Sequence, residues 1–311
     1  MEIVITEAEN GKCLRDYLKK NLGMSRAELS HLKSLDTGIM INGVRVTVRA
    51  VLAAGDVLFL DRDYAAAGEN VMPGDIPLDI ISGDIPLDII YEDDDIIALN
   101  KPAGMPTHPS HGHYYDTLAN GLAFYFAKKS IPFVFRAVNR LDRDTSGIVL
   151  VAKNRASAYR ISSEMSRGGI KKTYIAAAVG AVYQSGTVIA NIKRRYESII
   201  ERTVCPENEG QYAETRYAPL YTDGKVTLLE VRPVTGRTHQ IRVHMAYIGH
   251  PLCGDTLYGE ESELIGRQAL HCSRLEFTHP TTGERITLSA PLKGDMERLC
   301  RRIGADIADA V

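Results

Sequence analysis

The sequence predicts an α+β protein: a large mixed, mainly antiparallel sheet with surrounding helices, preceded by a small α+β domain. Three observations carry this reading. Strand-like apolar runs (DDDIIALN, VFRAV, GIVLVA, KTYIAAAV, AETRYAPLY and KVTLLEVR) outnumber the helical ones. The last two runs are joined by Asp223-Gly224, a tight-turn signal that favours antiparallel pairing. No GxGxxG fingerprint or P-loop occurs among the turns, as a nucleotide-binding parallel sheet would need.

In chain order, residues 1–63 read as the small domain. Leu14, Tyr17 and Leu18 give Lys12 to Asn21 helical spacing, and Ser25 with Glu28 forms a capping box for a second helix. The stretch GIMINGVRVTVRAVLAAGDVLFL then alternates across Asn42-Gly43 and Gly55-Asp56, as short hairpin strands do. Residues 64–90 read as an acidic linker, rich in Gly, Pro, Asp and Ala, in which GDIPLDII occurs at 74–81 and again at 83–90. Two copies are too few for a solenoid and read as a local duplication. Residues 91–305 form the main domain, with helices expected in TLANGLAFYFAKK, RASAYRISSEMSRG, THQIRVHMAYIG and GDMERLCRRIG, and 306–311 a tail.

With 311 residues and 44% apolar content the chain can bury a sizeable core. No apolar run approaches the roughly 20 residues of a spanning helix, and MEIVITEAEN lacks the basic and apolar regions of a signal peptide. A cytoplasmic protein with no membrane association is expected. The five cysteines are scattered without a C-x-x-C pair, so neither a zinc site nor a disulfide framework is indicated. Net charge is −2, but it is segregated: Arg136 to Lys172 is strongly basic, whereas Glu69 to Asp95 carries no basic residue.

Two clusters carry chemistry. The first is Asn139-Arg140-Leu141-Asp142-Arg143-Asp144-Thr145-Ser146-Gly147, between two apolar strands that would hold its side chains with little freedom. Arg140 and Arg143 flank Asp142, and nearby positive charge favours a carboxylate. The same residues also suit an ordinary turn. The second cluster is Gly236-Arg237-Thr238-His239-Gln240-Ile241-Arg242-Val243-His244, in which Thr238 can cap a helix running to Tyr247. Free N–H groups there, beside Arg237, would suit a phosphate. Arg242, one turn in, could point at a carboxylate across the site. A surface helix with polar caps fits the pattern too.

Taken together, NKPAGM at 100–105, NRLDRDTSG at 139–147, KKTY at 171–174, and GRTHQIRVH with GHPLCGD resemble, in order, the motifs of the RluA family of RNA pseudouridine synthases. Residues 10 to 60, through RDYLKKNL, SRAELSHL, GIMINGVRV and GDVLFL, resemble the S-four-type RNA-binding module. The resemblance implies isomerisation of uridine to pseudouridine in structured RNA, ribosomal RNA of the large subunit ahead of transfer RNA. It implies no cofactor, no metal and no obligatory protein partner. Asp142 aligns with the catalytic aspartate, Tyr174 with the active-site tyrosine and Arg242 with the basic partner of the aspartate. Arg140 aligns with an arginine at the RNA strand, and Asn139, Arg143, Arg237 and His239 are expected to contact substrate. Asn139 departs from the family, which usually has histidine there, and so cannot supply a cationic ring.

These residue types suit the reaction. A carboxylate can bond either the anomeric carbon or carbon 6 of the base while the uracil rotates. Two rivals remain. His108, His111 and His113 in THPSHGHYYD could serve a metal hydrolase, although no helix fixes their geometry and no partner ligand cluster is evident. A catalytically inactive RNA-binding or ribosome-assembly factor is the other, against which the joint presence of Asp142, Tyr174 and Arg242 argues.

Overall fold

A turn with both residues in the left-handed region, Asn42 (φ 51°) and Gly43 (φ 79°), joins the first hairpin of the chain. That geometry matches the twist of paired strands and favours Asn-Gly. The computed structural model describes residues 2–22, 24, 29, 32–33, 38–60, 85–109, 112–196, 198 and 200–306. In the N-terminal unit, β1 (Glu2–Val4), β2 (Ile39–Ile41), β3 (Val44–Arg45) and β4 (Val57–Leu60) pair in the order β1-β4-β2-β3. Helix α1 (Leu14–Lys20) turns Leu14, Tyr17 and Leu18 into a core shared with Ile5, Ile39 and Leu58. The helix expected to begin at Ser25 falls mostly outside the described residues, although Leu29 and Leu32 join that core. Strand β1 has only three residues, too short for a sequence period to reveal.

The main domain is built on β5 (Ile89–Glu92), β6 (Ile96–Lys101), β7 (Ser146–Ala152), β8 (Lys171–Val179) and β9 (Gly186–Ile189). A separate two-stranded ribbon, β10 (Asn191–Arg194) and β11 (Arg202–Cys205), follows. The sheet resumes with β12 (Glu214–Thr222), β13 (Val226–Pro233), β14 (Leu270–Thr278) and β15 (Arg285–Ser289). Nine strands pair in the order β5-β6-β7-β14-β8-β13-β12-β9, with β15 on β14; every pair is antiparallel except β7 with β14. The sheet is therefore mixed and mainly antiparallel, as the sequence indicates.

Helices α2 (Leu118–Lys128), α3 (Arg155–Ser166), α4 (Gln240–Tyr247) and α5 (Asp295–Ile303) surround it. Thr117 and Asn154 cap α2 and α3 by accepting from the backbone N–H three residues on. Strand β8 shows why its apolar run is continuous. Tyr174, Ala176 and Ala178 face the main core, while Ile175 and Ala177 face a second one closed by Met296, Leu299, Cys300 and Ile303 of α5.

Two expectations are corrected. VFRAV is not a strand; within it Ala137 makes an isolated bridge to Val151. The second GDIPLDII copy is not free linker at its end: Ile89 and Ile90 belong to β5, and Leu87, Ile89 and Ile90 pack against the main core. Gly121 of α2 makes room, since a Cβ there would stand 3.0 Å from Leu87 Cδ2 and 3.4 Å from Ile85 Cβ. Its first copy lies outside the described residues.

Strand β7 emerges from the 139–147 loop beside β14, where Gly147 pairs with Cys272. At φ +115° and with a Cβ position only 2.3 Å from the Cys272 carbonyl oxygen, no side chain fits there. Gly147→Ala is expected to lower unfolding free energy in urea by about 3 kcal/mol or more, combining backbone strain with a steric clash. A loss below about 1 kcal/mol would show that β7 and β14 can separate without cost.

Candidate active site

The loop that carries Asp142 is held on both sides. Thr107 accepts from Leu141 N–H (3.3 Å) and donates its hydroxyl to the Leu141 carbonyl (3.0 Å). Before it, the Asn139 amide donates to Ile148 O and accepts from Leu150 N–H, both at 2.9 Å. Both ends of that amide therefore bind β7. Asn139 thus anchors the base of the loop, and it also lines the cavity described below. After Asp142, the ammonium of fully buried Lys101 donates to the carbonyls of Pro102 (2.8 Å), Met105 (2.7 Å) and Arg143 (3.0 Å). Burial, then the Arg267 guanidinium, brings the Lys101 pKa down to about 7. Residue spacing carries no sign of this clamp, because its acceptors are backbone carbonyls.

Across from the loop, Arg242 is shared by two carboxylates. Its Nε and Nη2 bind Asp255 in a fork at 2.7 and 2.8 Å, and Nη1 reaches Asp142 Oδ2 at 3.3 Å. The Arg242 side chain is 8% exposed and that of Asp255 is 0% exposed, against 24% for Asp142. The bidentate pair satisfies the buried charge, and the third contact aims the guanidinium at the accessible carboxylate. Asp255 lies inside GHPLCGD, yet nothing in its spacing identified it as the second partner.

His239 completes this side. It occupies the N-cap position of α4 at φ +58°, a left-handed conformation costly for a side chain of its size. Thr238 is therefore not the cap. The Gln240 side chain turns back instead, accepting from Arg237 N–H (2.9 Å) and the Thr235 hydroxyl (2.7 Å). The Arg237 N–H, just ahead of the helix start, is thus occupied. The His239 ring sits with Nδ1 2.8 Å from the Tyr258 hydroxyl and Nε2 3.7 Å from Asp142 Oδ2. Tyr258 Oη also accepts from Arg202 N–H at 2.8 Å; a Tyr258 proton donated to Nδ1 is compatible with this and would leave Nε2–H on the side of Asp142. Burial lowers the His239 pKa, which favours this neutral ring.

These groups line a cavity of about 750 Å³ together with Arg140, Lys172, Tyr174 and Arg237. Arg140 is exposed at the rim, whereas Arg143 turns away from Asp142 and forks onto Asp144 at 3.0 and 3.1 Å. Arg237 Nε donates to the Tyr212 carbonyl at 2.9 Å. Tyr174 is buried opposite Cys272 in register, and burial pushes its phenol well above the usual range. A neutral ring on the cavity wall can stack on a flat base.

A family model for RNA pseudouridylate synthase matches residues 95–247, which contain Asp142, Tyr174 and Arg242. The Bacillus subtilis RNA pseudouridine synthase YjbO is 41% identical over 281 residues, spanning 90% of this chain and 95% of the relative. The chain belongs to the RluA-type RNA pseudouridine synthases. The ribosomal large subunit pseudouridine synthase D of Xanthomonas campestris is 40% identical, covering 92% of this chain and 87% of the relative. Among solved structures, human RNA pseudouridylate synthase domain containing 1 superposes with TM-score 0.56 at 26% identity, over 68% of this synthase and 85% of that chain.

Of the histidines weighed for a metal, His108 packs edge-on to Phe135 and His113 Nδ1 lies 2.6 Å from Asp116 Oδ2. His111 lies outside the described residues. No cluster of three or more ligand types suited to a metal occurs among the described residues, and no described helix is long and apolar enough to cross a membrane.

Behind the loop, Arg267 Nη2 donates to Ser146 Oγ (3.1 Å), and His271 bridges Ser146 (2.9 Å) to the Ala290 carbonyl (3.1 Å). The carbonyl can only accept, so His271 carries a proton on Nε2, and burial keeps the ring neutral. Burial holds its pKa at about 4, and burial also lowers that of His244. In the unfolded chain such histidines bind a proton near pH 6.5. The unfolded state therefore takes up more protons as pH falls, and the stability present above about pH 6.5 is lost progressively toward pH 4. Urea midpoints measured between these values should fall with pH, and His271→Asn should make the decline shallower. An unchanged slope in that variant would contradict a neutral buried His271.

Proposed function

We propose that this synthase modifies chosen uridines of large-subunit ribosomal RNA, in preference to transfer RNA, with Asp142 as nucleophile, Arg242 as its orienting partner and Tyr174 as the stacking surface. The observation that carries the site reading is the placement of Asp142. It is the accessible carboxylate of the Asp255–Arg242–Asp142 chain, and it faces a cavity large enough for one nucleotide. Relatives named for the large ribosomal subunit support the substrate class.

The target uridine leaves the RNA stack and enters the cavity, at an unstacking cost of a few kcal/mol offset by contacts to flanking nucleotides. Arg140 at the rim, with Arg143 and Arg237, supplies positive charge for the strand on either side. The uracil packs on Tyr174. Asp142 then bonds either the anomeric carbon or carbon 6 of the ring, and the N-glycosidic bond breaks. The base rotates within the cavity, carbon 5 joins the sugar as the aspartate is released, and loss of the carbon 5 proton, assisted by Tyr174, is balanced by the proton that N1 takes up. The reaction rearranges atoms of one nucleotide, so it requires no redox equivalent or group donor. Neutral His239 sits 3.7 Å from Asp142 without adding a second positive charge beside it.

Asp142→Asn keeps the shape of the loop but removes the charge and nearly all nucleophilicity. Pseudouridine released by nuclease digestion of a ribosomal RNA transcript should fall below detection while RNA binding persists. Arg242→Met should be comparably impaired, and combining it with Asp142→Asn should cost nothing more, because the pair acts as a unit. Tyr174→Phe retains the stacking ring but removes the hydroxyl that can assist loss of the carbon 5 proton, so it should slow turnover more than it weakens binding. Substantial product from Asp142→Asn, with deamidation excluded, would overturn the assignment.

The N-terminal unit, residues 1–63, is assigned affinity rather than chemistry. A chain starting near Val71 should modify a short RNA at high concentration, yet bind long structured RNA more weakly and with a shallower salt dependence. Equal affinity for long RNA with and without that unit would remove its RNA-binding role.

A further inference from the structure

The Arg143 and Asp144 carbonyls, immediately after Asp142, are each held by a different cation. Lys101 takes that of Arg143 at 3.0 Å. Arg267 takes that of Asp144 through Nη1 at 2.9 Å, and the same nitrogen also donates to the carbonyls of Gln268 (3.1 Å) and Leu270 (3.2 Å). Nη2 of Arg267 binds Ser146 Oγ at 3.1 Å. Both Arg267 and Asp295 lie beyond residues 95–247, the span matched by the family model.

What orients Arg267 is a carboxylate on the C-terminal helix. Asp295, in the first turn of α5, receives Nε at 2.7 Å and Nη2 at 2.8 Å in a fork, and its Oδ1 accepts from Met296 N–H at 2.8 Å. The Arg267 side chain is 9% exposed, so few waters could replace these partners if the fork were lost. Gln268 adds a parallel tie, its amide donating to the Thr145 hydroxyl at 3.3 Å. The downstream half of the catalytic loop thus rests in part on Arg267, whose own orientation is set by Asp295 of α5.

We infer that Arg267, aligned by Asp295, is a positioning residue for Asp142, and that helix α5 thereby belongs to the working parts of the active site. The inference rests on Asp142 being the reacting carboxylate. Arg267 touches neither Asp142 nor the cavity; it acts through the Asp144 carbonyl and Ser146. A carboxylate displaced by even about 1 Å from its line of attack can lose on the order of 100-fold in rate. The expected consequence of freeing the loop is therefore slower chemistry rather than weaker RNA binding.

The test uses the full chain and a large-subunit ribosomal RNA transcript, with enzyme in excess so that one turnover is followed. Asp295→Asn and Arg267→Lys should lower the single-turnover rate about 10- to 100-fold, with the dissociation constant for the transcript unchanged within about twofold. Asp295→Glu, which keeps a carboxylate, should recover most of the rate. Leu299→Ala serves as the stability control: it removes buried packing from the same helix without touching Arg267, and should lower the urea midpoint while leaving the single-turnover rate near wild type. Wild-type rates in Asp295→Asn and Arg267→Lys would overturn the inference. So would a rate loss in Leu299→Ala matching that of Asp295→Asn at equal loss of stability, since α5 would then act only through general stability. An Asp142→Asn arm separates the two readings. If that protein is inactive while the Arg267 and Asp295 variants are not, only the positioning role falls; if it is active, the nucleophile assignment itself falls.

Discussion

One guanidinium shared by two carboxylates is the constraint around which the site is arranged. Asp255 is fully buried, and such a charge is tolerated only when it is paired and hydrogen-bonded; Arg242 supplies the pair, and the Leu257 and Tyr258 N–H groups supply further donors at 3.1 and 3.3 Å. Once that fork is fixed, Nη1 is the remaining nitrogen, and it meets Asp142. Helix α4 must then stay in place, and it is tied to β12: Gln240 donates to the Glu214 carbonyl (2.9 Å) and His244 Nδ1 lies 2.9 Å from the Thr215 hydroxyl. The left-handed backbone of His239 is strain tolerated at the same spot, because it lets the imidazole reach both Tyr258 and Asp142.

The loop opposite is rigid for a different reason. Asp142 itself is partly exposed, while Leu141 on one side and Arg143 and Asp144 on the other have their backbone groups held by Thr107, Lys101 and Arg267. Gly147 then brings β7 against β14 closely enough that Ser146 can meet Arg267 and His271. The mixed sheet thus has a purpose at its one parallel junction, where the loop enters between strands from distant parts of the chain.

Much of this was legible from local pattern. The helices α2, α3 and α5 and the strands β6, β7, β8, β12 and β13 follow apolar period, caps and turns, all of which act within a few residues. The Asp142 loop and the Arg242 helix were recognisable as clusters because their polar residues are contiguous. What escaped was long-range. Lys101 and Arg143 are 42 residues apart and Arg267 and Asp144 123, and no spacing rule connects such pairs; Arg242 and Asp142, 100 apart, were paired only through the family resemblance. The backbone of β7 that takes both ends of the Asn139 amide cannot be seen in a side-chain pattern. The second GDIPLDII copy looked like linker from its Pro, Gly and Asp content, but contact with Gly121 and β6 overrides that local preference.

A pseudouridine map of total RNA is the most direct test, comparing cells that carry the wild-type chain, cells that lack it, and cells that carry Asp142→Asn at the same level. The account predicts that a small set of positions in large-subunit ribosomal RNA is modified only with the wild-type chain and is missing from both other maps. Positions that persist with Asp142→Asn, or identical maps in all three, would contradict it.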